Sequence, residues 1–258
     1  MKLLNNKDAH TVLNRVAAVD ILFWVIKIIS TTVGESSADF FGAHIGPPAG
    51  AIALALLIVS VVIQIRFKRY IPWMYWTVIV LVAVFGTMCA DTIHFLGVPL
   101  IVSSATFLGL LLVMLGIWYT CEKSLDVHAI HTTRREIFYW LVIFFTFALG
   151  TAAGDLFAGR LHLGYLDATL FFGATIVVVP LVLYLCKINK IALFWITYIL
   201  TRPFGASGAD LLGKPTSHGG LGFGDGTTAI VTLLIVIALV GWLTFTHKKE
   251  MLHEERVE

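Results

Sequence analysis

The sequence predicts an all-α integral membrane protein with eight transmembrane helices, built as four tandem helical-hairpin repeats. Apolar residues make up 58% of the chain and charged residues only 13%, whereas about a quarter of the residues in a soluble domain are charged. The apolar residues cluster in runs of roughly 18 to 22, which is long enough to cross a hydrocarbon core of about 30 Å. A fixed spacing of tryptophan, glycine and aspartate also recurs four times along the chain.

The predicted spans follow the apolar runs and form a single membrane domain over residues 1–258. A soluble protein of this size would need many more charged side chains to cover its surface, so a water-soluble fold is excluded. The predicted spans are 17–40, 49–67, 72–93, 98–120, 136–157, 166–186, 189–211 and 226–246.

Lysine and arginine residues predict the direction in which the chain crosses the membrane, because cytoplasmic loops are enriched in them. The connections on one side hold only Arg160 and Lys214, and Lys27 and Arg202 lie inside spans. The termini and the connections on the other side hold the rest: Lys2, Lys7, Arg15, Arg66, Lys68, Arg69, Lys123, Arg134, Arg135, Lys187, Lys190, Lys248, Lys249 and Arg256. Both termini are therefore predicted to be cytoplasmic.

An internal repeat organises the spans. In each repeat a glycine follows a tryptophan by ten residues, and an aspartate follows that glycine by five. Four of the seven tryptophans begin the pattern: Trp24-Gly34-Asp39, Trp76-Gly86-Asp91, Trp140-Gly150-Asp155 and Trp195-Gly205-Asp210. The predicted repeats are 17–70, 71–122, 134–188 and 189–247. Because parallel repeats relate by rotation about the membrane normal, a bundle with pseudo-twofold or pseudo-fourfold symmetry is expected.

Small residues precede the aspartate in every repeat. Counted from the tryptophan, positions +10, +13 and +14 are glycine, alanine, serine or cysteine in all four copies. Residues three and four apart share a helix face, and small side chains there let membrane helices approach closely. These positions are therefore predicted to form helix–helix contacts.

The aspartates at position +15 are the main candidate functional residues: Asp39, Asp91, Asp155 and Asp210. Ionisable groups within spans are costly, and they usually face a bundle interior or a water-filled cavity. The alternative is that each aspartate ends its helix on the outer side and tethers the following loop. Both interpretations stay open at the level of sequence.

A stripe at positions +3, +7, +11 and +15 runs along one helix face towards each aspartate. In the first repeat this stripe carries Lys27 and Glu35, and in the fourth it carries Arg202. An ion pair across the bundle, such as Glu35 with Arg202, is predicted. Such a pair either locks two helices together or changes partners during transport.

Each outer connection also contains one histidine, and these are His44, His94, His162 and His218. Imidazole and carboxylate groups together suit a transition-metal ion, so a bound metal cation is one hypothesis. The spacing between histidine and aspartate differs from repeat to repeat, and ordinary surface histidines are the alternative. No other cofactor is predicted.

Several function classes find no support in the sequence. A net charge of +2 gives no basis for binding nucleic acid, and the three scattered cysteines suggest neither a disulfide framework nor a zinc site. A nucleophile elbow, a phosphate-binding loop and a zinc-protease motif are all missing, so the chain is not expected to be an enzyme.

The repeated elements resemble a known family. Phe23-Trp24, Gly34-Glu35 and Ala38-Asp39, with Phe194-Trp195 and Ala209-Asp210 in the last repeat, are similar to those of uncharacterised multi-pass bacterial proteins called membrane-anchored proteins. The resemblance implies a location in the bacterial inner membrane, and it brings no assigned activity.

These residues favour a secondary transporter of a cation, either a metal ion or a proton-coupled cation. In this hypothesis the four aspartates and Glu35 bind the ion, and Lys27 and Arg202 are their charge partners. A cation channel with an acidic ring is one alternative, and a non-transporting scaffold or sensor is another. The predicted partners are the lipid bilayer and a cation substrate, and the oligomeric state is left open.

Overall fold

The computed structural model describes residues 14–160 and 163–257. Within these residues the chain forms eight long α-helices and no β-strand, as the sequence predicts. The helices are α1 (Ile21–Ile45), α2 (Pro48–Phe67), α3 (Pro72–Phe95), α4 (Leu100–Glu122), α5 (Thr133–Asp155), α6 (Gly164–Leu185), α7 (Lys190–Gly213) and α8 (Asp225–Val257). A π-helical turn, Leu156–Arg160, extends α5.

Local signals in the sequence explain where several helices begin and end. The side chains of Asp20, Thr132 and Asn189 accept hydrogen bonds from backbone amides in the first turns of α1, α5 and α7. The outer helices of the first three repeats are each followed within two residues by a lysine with positive φ: Lys68, Lys123 and Lys187. A cation at this position interacts favourably with the carbonyl end of the helix.

The odd-numbered helices carry the tryptophan–glycine–aspartate pattern and form a closed ring. Within it, α1 packs on α3, α3 on α5, α5 on α7, and α7 on α1. The even-numbered helices lie outside this ring, and each packs mainly on the first helix of the next repeat. Thus α2 lies on α3, α4 on α5 and α6 on α7, while α8 returns to α1. The contacts therefore repeat four times around the ring.

The repeated glycines explain why the ring helices approach so closely. A Cβ added at Gly86 would lie 2.8 Å from the Cβ of Phe147, closer than real Cβ atoms come. Each of these glycines faces the residue at position +7 of the next repeat: Gly34 faces Ala83, Gly86 faces Phe147, Gly150 faces Arg202, and Gly205 faces Thr31. The predicted role of position +10 in helix packing is confirmed.

The outer helices present apolar side chains to their surroundings. Ile58 on α2, Leu112 on α4, Val177 on α6 and Ile230 on α8 are each more than half exposed. In water such a surface would be unstable, whereas lipid tails solvate it. Seven helices in the described part of the chain are long and apolar enough to cross a membrane, which indicates a multi-pass membrane protein.

Helix α7 is not among these seven, although it has 24 residues and completes the ring. Its polar residues lower its overall hydropathy, and several of them lie inside the protein. Arg202, Ser207 and Asp210 are all at least nine-tenths buried. The polarity of α7 therefore reflects what the ring encloses.

The segment before α1 crosses the end of the ring that lies opposite the aspartates. Arg15 Nη1 lies 3.0 Å from Glu136 Oε2 on α5, and Val16 and Ala17 are buried. Because α1 and α5 sit on opposite sides of the ring, residues 15–20 must pass beneath it to reach Ile21. This segment closes that end, which we call the terminal end.

Candidate functional site

The predicted stripe faces the interior of the ring in all four repeats. The residues at positions +3, +7 and +11 are each no more than 2% exposed. They are Lys27, Thr31 and Glu35; Ile79, Ala83 and Thr87; Ile143, Phe147 and Thr151; and Tyr198, Arg202 and Ala206. The axis of the bundle is therefore a packed column with polar groups only at certain levels.

The four aspartates at position +15 lie together at the other end of the ring, which we call the aspartate end. They line a cavity of about 470 Å³, and Glu35 lines it from one turn deeper. Oxygen atoms of Glu35, Asp155 and Asp210 all lie within 4.8 Å of one another. Equal spacing along the chain thus brings a carboxylate from every repeat into one cavity.

Lys214 is the cation that pairs with the aspartates of this cavity within the described residues. Its Nζ lies 2.7 Å from Asp39 Oδ2, 3.5 Å from Asp225 Oδ2 and 3.8 Å from Asp210 Oδ1. Burial by itself lowers the pKa of Lys214, but the Asp39, Asp210 and Asp225 carboxylates outweigh burial and raise the pKa above its usual value. Lys214 is therefore held as a cation that ties α1, α7 and α8 together.

Two aspartates of the cavity have no such partner. Among the described side chains, no cation lies within ion-pair distance of Asp91 or Asp155. Both line the cavity, where each faces the carboxylate of Glu35 and of the other aspartates. Several carboxylates so close together cannot all remain charged without a counter-ion, because their repulsion is weakly screened away from bulk water.

Below the cavity, an ion pair occupies the axis. The predicted pair of Glu35 and Arg202 is present, with Arg202 Nη2 2.6 Å from Glu35 Oε2. The hydroxyls of Thr87 and Thr151 donate to the same Oε2 at 3.0 and 3.1 Å. Arg202 Nη1 donates to the carbonyl of Thr31 at 3.1 Å. Residues from all four ring helices therefore meet at this one level.

Within the described residues, all side-chain hydrogen bonds to the Glu35 carboxylate are accepted by its Oε2 atom. Thr87 and Thr151 donate to that atom, and so does Arg202. The Oε1 atom accepts none of these bonds, and Glu35 belongs to the lining of the cavity. Glu35 thus connects the ion pair on the axis to the group of aspartates above it.

Lys27 lies deeper still and does not form an ion pair with a carboxylate. Its Nζ lies 4.0 Å from the centre of the Phe147 ring and 4.3 Å from that of Tyr198. The side chain is fully buried, and its Nζ has no hydrogen-bond partner within the described residues. Lys27 therefore forms no ion pair with the described acids, and its role as their charge partner stays a prediction. Two aromatic faces surround it because Phe147 and Tyr198 occupy the neighbouring stripe positions.

Four sequence segments match a family described as Repeat of Unknown Function (DUF347). They are residues 22–70, 74–124, 138–189 and 193–249, which together cover most of the chain. The chain belongs to this family. Each DUF347 repeat contains one hairpin of the structure, with a ring helix followed by an outer helix. The chain has no significant match among curated proteins or solved structures.

The DUF347 repeats do not place their histidines alike. His94 and His218 line the cavity of the aspartate end. His44 does not line it; its Nδ1 lies 2.7 Å from the carbonyl oxygen of Phe40, and its ring contacts the Phe40 ring. His162 lies outside the described residues. Because the outer connections differ in length, the three described histidines share no common geometry.

Sequence reasoning missed two features of the DUF347 site. Lys214 follows Asp210 by one helical turn, and this spacing could have identified the pair. The π-helical turn directly after Asp155 had no signal that the sequence analysis used. Such turns widen a helix locally and frequently occur at functional sites. Here the turn carries Ala158 and Gly159 into the lining of the cavity.

Proposed function

We propose that this protein is a secondary transporter of a cation, with the cavity at the aspartate end as its ion-binding site. The proposed ligands are the carboxylates of Asp39, Asp91, Asp155, Asp210 and Glu35. One observation carries the proposal: carboxylates from all four repeats line a single cavity, and their charge exceeds that of the described cations beside them. The proposal includes no catalysed reaction.

The chemistry of these ligands defines the class of ion. Carboxylate oxygens suit hard cations such as Mg²⁺, Ca²⁺ and Mn²⁺, and the imidazoles of His94 and His218 would extend the range to transition metals. A cation in the cavity would relieve the repulsion among Asp91, Asp155 and Asp210. In its absence Lys214 and Arg202 offset only part of this repulsion, because they are two cations beside five carboxylates.

The proposed orientation places the aspartate end outside the cell and both termini in the cytoplasm of a bacterium, with the protein in the inner membrane. The excess of lysine and arginine at the terminal end supports it. We further propose that α7 spans the membrane as an eighth helix. It matches the other ring helices in length and takes the equivalent position in the ring.

A carrier fits the axis better than a cation channel does. Two cationic side chains, Lys27 and Arg202, lie in the column below the cavity, and only Glu35 pairs with either of them. A continuous cation path would cross both positive charges in a region of weak screening. A carrier needs no such continuous path, since the ring can rearrange around a bound ion.

A scaffold or sensor is the second candidate function, and Lys214 favours it. This lysine ties Asp39 to Asp210 and Asp225, so some of the acids fix connections between helices. The same explanation does not cover Asp91 and Asp155, which have no described cation beside them. Substitutions of these two aspartates therefore distinguish a cation transporter from a scaffold or sensor.

The test uses the purified protein in proteoliposomes with Mn²⁺ as the probe, since it accepts both carboxylate and imidazole ligands. Uptake is followed by quenching of a trapped fluorescent indicator. Asp91→Asn and Asp155→Asn should each abolish most of the uptake while leaving the folded yield unchanged. Asp167→Asn is the matched control, because Asp167 is an exposed aspartate at the same end that does not line the cavity.

The scaffold interpretation gives the opposite result. It expects no Mn²⁺ flux by the unaltered protein above that of empty liposomes, and the proposal then fails. It also fails if uptake survives both substitutions. Repeating the assay with Ca²⁺ and Mg²⁺ keeps the outcome from depending on one ion.

A further inference from the structure

The surroundings of Lys27 are unusual for a charged group. Its ammonium group has no carboxylate, carbonyl or hydroxyl partner within the described residues, and it is fully buried. Contact with two aromatic faces stabilises the cation in part. This stabilisation is smaller than the cost of burying a charge that has no partner.

A second cation lies beside the same aromatic ring. The Cζ of Arg202 is 5.1 Å from the centre of the Phe147 ring, and the Nζ of Lys27 is 4.0 Å from it. Of these two cations only Arg202 forms an ion pair with a carboxylate, and its partner is Glu35. An arginine in a protein stays protonated, whereas a buried lysine can release its proton. Lys27 is therefore the member of the pair whose charge can change.

Hydroxyl groups continue from Lys27 towards the terminal end. The hydroxyls of Tyr75 and Tyr139 lie 2.5 Å apart and are fully buried. The hydroxyl of Tyr198, whose ring touches Lys27, interacts with that of Tyr139. Glu136 precedes Tyr139 by three residues on α5 and so lies on the same helix face. These groups form a line along which a proton could leave Lys27.

The charged and titratable groups that face Lys27 come from few helices. Helix α7 contributes Arg202 and Tyr198, and α1 itself contributes Glu35 about two helical turns above Lys27. Helices α3 and α5 contribute the tyrosine hydroxyls below. On α8, Asp225 is the one described titratable side chain, and it lies beside Lys214 at the aspartate end. Thus no described carboxylate pairs with a proton on Lys27.

We infer that Lys27 is the proton-binding group of this transporter and that it exchanges a proton for the transported cation. The inference rests on the proposed function and specifies its coupling ion. In the step itself an N–H bond of the Lys27 ammonium breaks to leave an amine, and each tyrosine hydroxyl below accepts one proton and donates its own. The Glu136 carboxylate accepts the last proton and releases it to water at the terminal end. The amine later regains a proton by the reverse path.

Electrostatics sets the direction of the coupling. A cation bound to Glu35 and the aspartates withdraws negative charge from Arg202 and adds positive charge above Lys27. Both effects oppose a proton on Lys27, so a bound cation and a protonated Lys27 exclude each other. A carrier whose two ions exclude each other in this way moves them in opposite directions.

The test compares two measurements on the full-length protein in proteoliposomes with Mn²⁺. The first is Mn²⁺ uptake driven by a pH gradient, recorded together with the internal pH. The second is exchange of radioactive Mn²⁺ for unlabelled Mn²⁺ at equal pH, which requires no proton movement. The unaltered protein should perform both. Lys27→Met should keep exchange but reduce pH-driven uptake by at least about tenfold, and it should release no protons on Mn²⁺ entry.

Two further variants complete the design. Lys190→Met is the matched control, because Lys190 is exposed at the start of α7, and it should behave like the unaltered protein. Lys27→Arg keeps the positive charge but cannot release it, so it should also lose pH-driven uptake. This variant supplies the answer if Lys27→Met does not fold.

The results separate the two proposals. Full pH-driven uptake with Lys27→Met or Lys27→Arg overturns the role of Lys27 and leaves the cation transporter standing. Loss of exchange by well-folded Lys27→Met also overturns it, because Lys27 would then act in cation binding. Absence of exchange in the unaltered protein contradicts the proposed function itself, and the inference falls with it.

Discussion

Replacement of Arg202 by methionine tests the central packing of the ring. Arg202 is fully buried and donates to Glu35, to the carbonyl of Thr31 and to the hydroxyl of Thr151. Methionine fills similar volume but leaves the Glu35 carboxylate buried without its cation. Removing one partner of a buried pair costs about 3–5 kcal/mol. We expect Arg202→Met to lower the free energy of unfolding by that amount.

The double variant Glu35→Gln/Arg202→Met provides the decisive comparison. It removes both charges, and the hydroxyls of Thr87 and Thr151 can still donate to the amide oxygen of the glutamine. Because a buried ion pair adds little net stability over neutral groups of similar shape, the double variant should recover most of the loss. An interaction energy of at least about 2 kcal/mol between the two substitutions is expected.

Unfolding by SDS in mixed detergent micelles, followed by tryptophan fluorescence, measures these differences. Arg134→Met is the control, since Arg134 is 62% exposed and lies 3.3 Å from Glu122 at the surface. Its loss should cost less than about 1 kcal/mol. If Arg202→Met and the double variant prove equally unstable, then the uncompensated Glu35 charge is not the cause, and our account of the axis is refuted.

Three other outcomes follow from the structure. Gly205→Ala should destabilise the bundle by more than about 2 kcal/mol in the same SDS titration, because the new Cβ would meet Thr31. Gly109→Ala is the control: the space around Gly109 is open, so this change should be neutral or stabilise the protein by up to about 1 kcal/mol. Equal effects of the two substitutions would contradict the close approach of the ring helices. Lys214→Gln should destabilise the protein equally at pH 7.5 and pH 9. Because the pKa of Lys214 is raised in the folded protein, its contribution to the free energy of unfolding is complete below the pKa of lysine in an unfolded chain, about 10.4. That contribution disappears only as the pH rises through the higher pKa of the folded state. A smaller loss of stability at pH 9 would show that Lys214 has already lost its proton. The exposed thiols of Cys121 and Cys186 lie at the C-terminal ends of α4 and α6, which are on the side of the terminal end. A membrane-impermeant maleimide should therefore label them in inside-out vesicles and not in intact cells. Labelling of these thiols in intact cells would reverse the proposed orientation.

The sequence determined the features that depend on local rules and on the thickness of a membrane. Apolar runs predicted the bounds of the first seven helices to within about five residues, because a span must satisfy its own backbone hydrogen bonds inside lipid. The eighth helix continues to Val257, eleven residues past the end of its predicted span, because its last part is polar and carries no apolar run. The tryptophan–glycine–aspartate spacing predicted that Asp39, Asp91, Asp155 and Asp210 share one level. Helices of equal sense and equal register can place equivalent residues only at equal depth.

The tertiary structure alone decided which groups are neighbours at each level. Sequence spacing gave no means of knowing that each outer helix packs on the next repeat, that Lys214 reaches Asp39, or that Lys27 lies between Phe147 and Tyr198. These neighbours depend on how four ring helices close on one another, and that closure depends on the shapes of residues from different repeats. Local patterns therefore fix the depth of each side chain, and the packing of the whole ring fixes its partners.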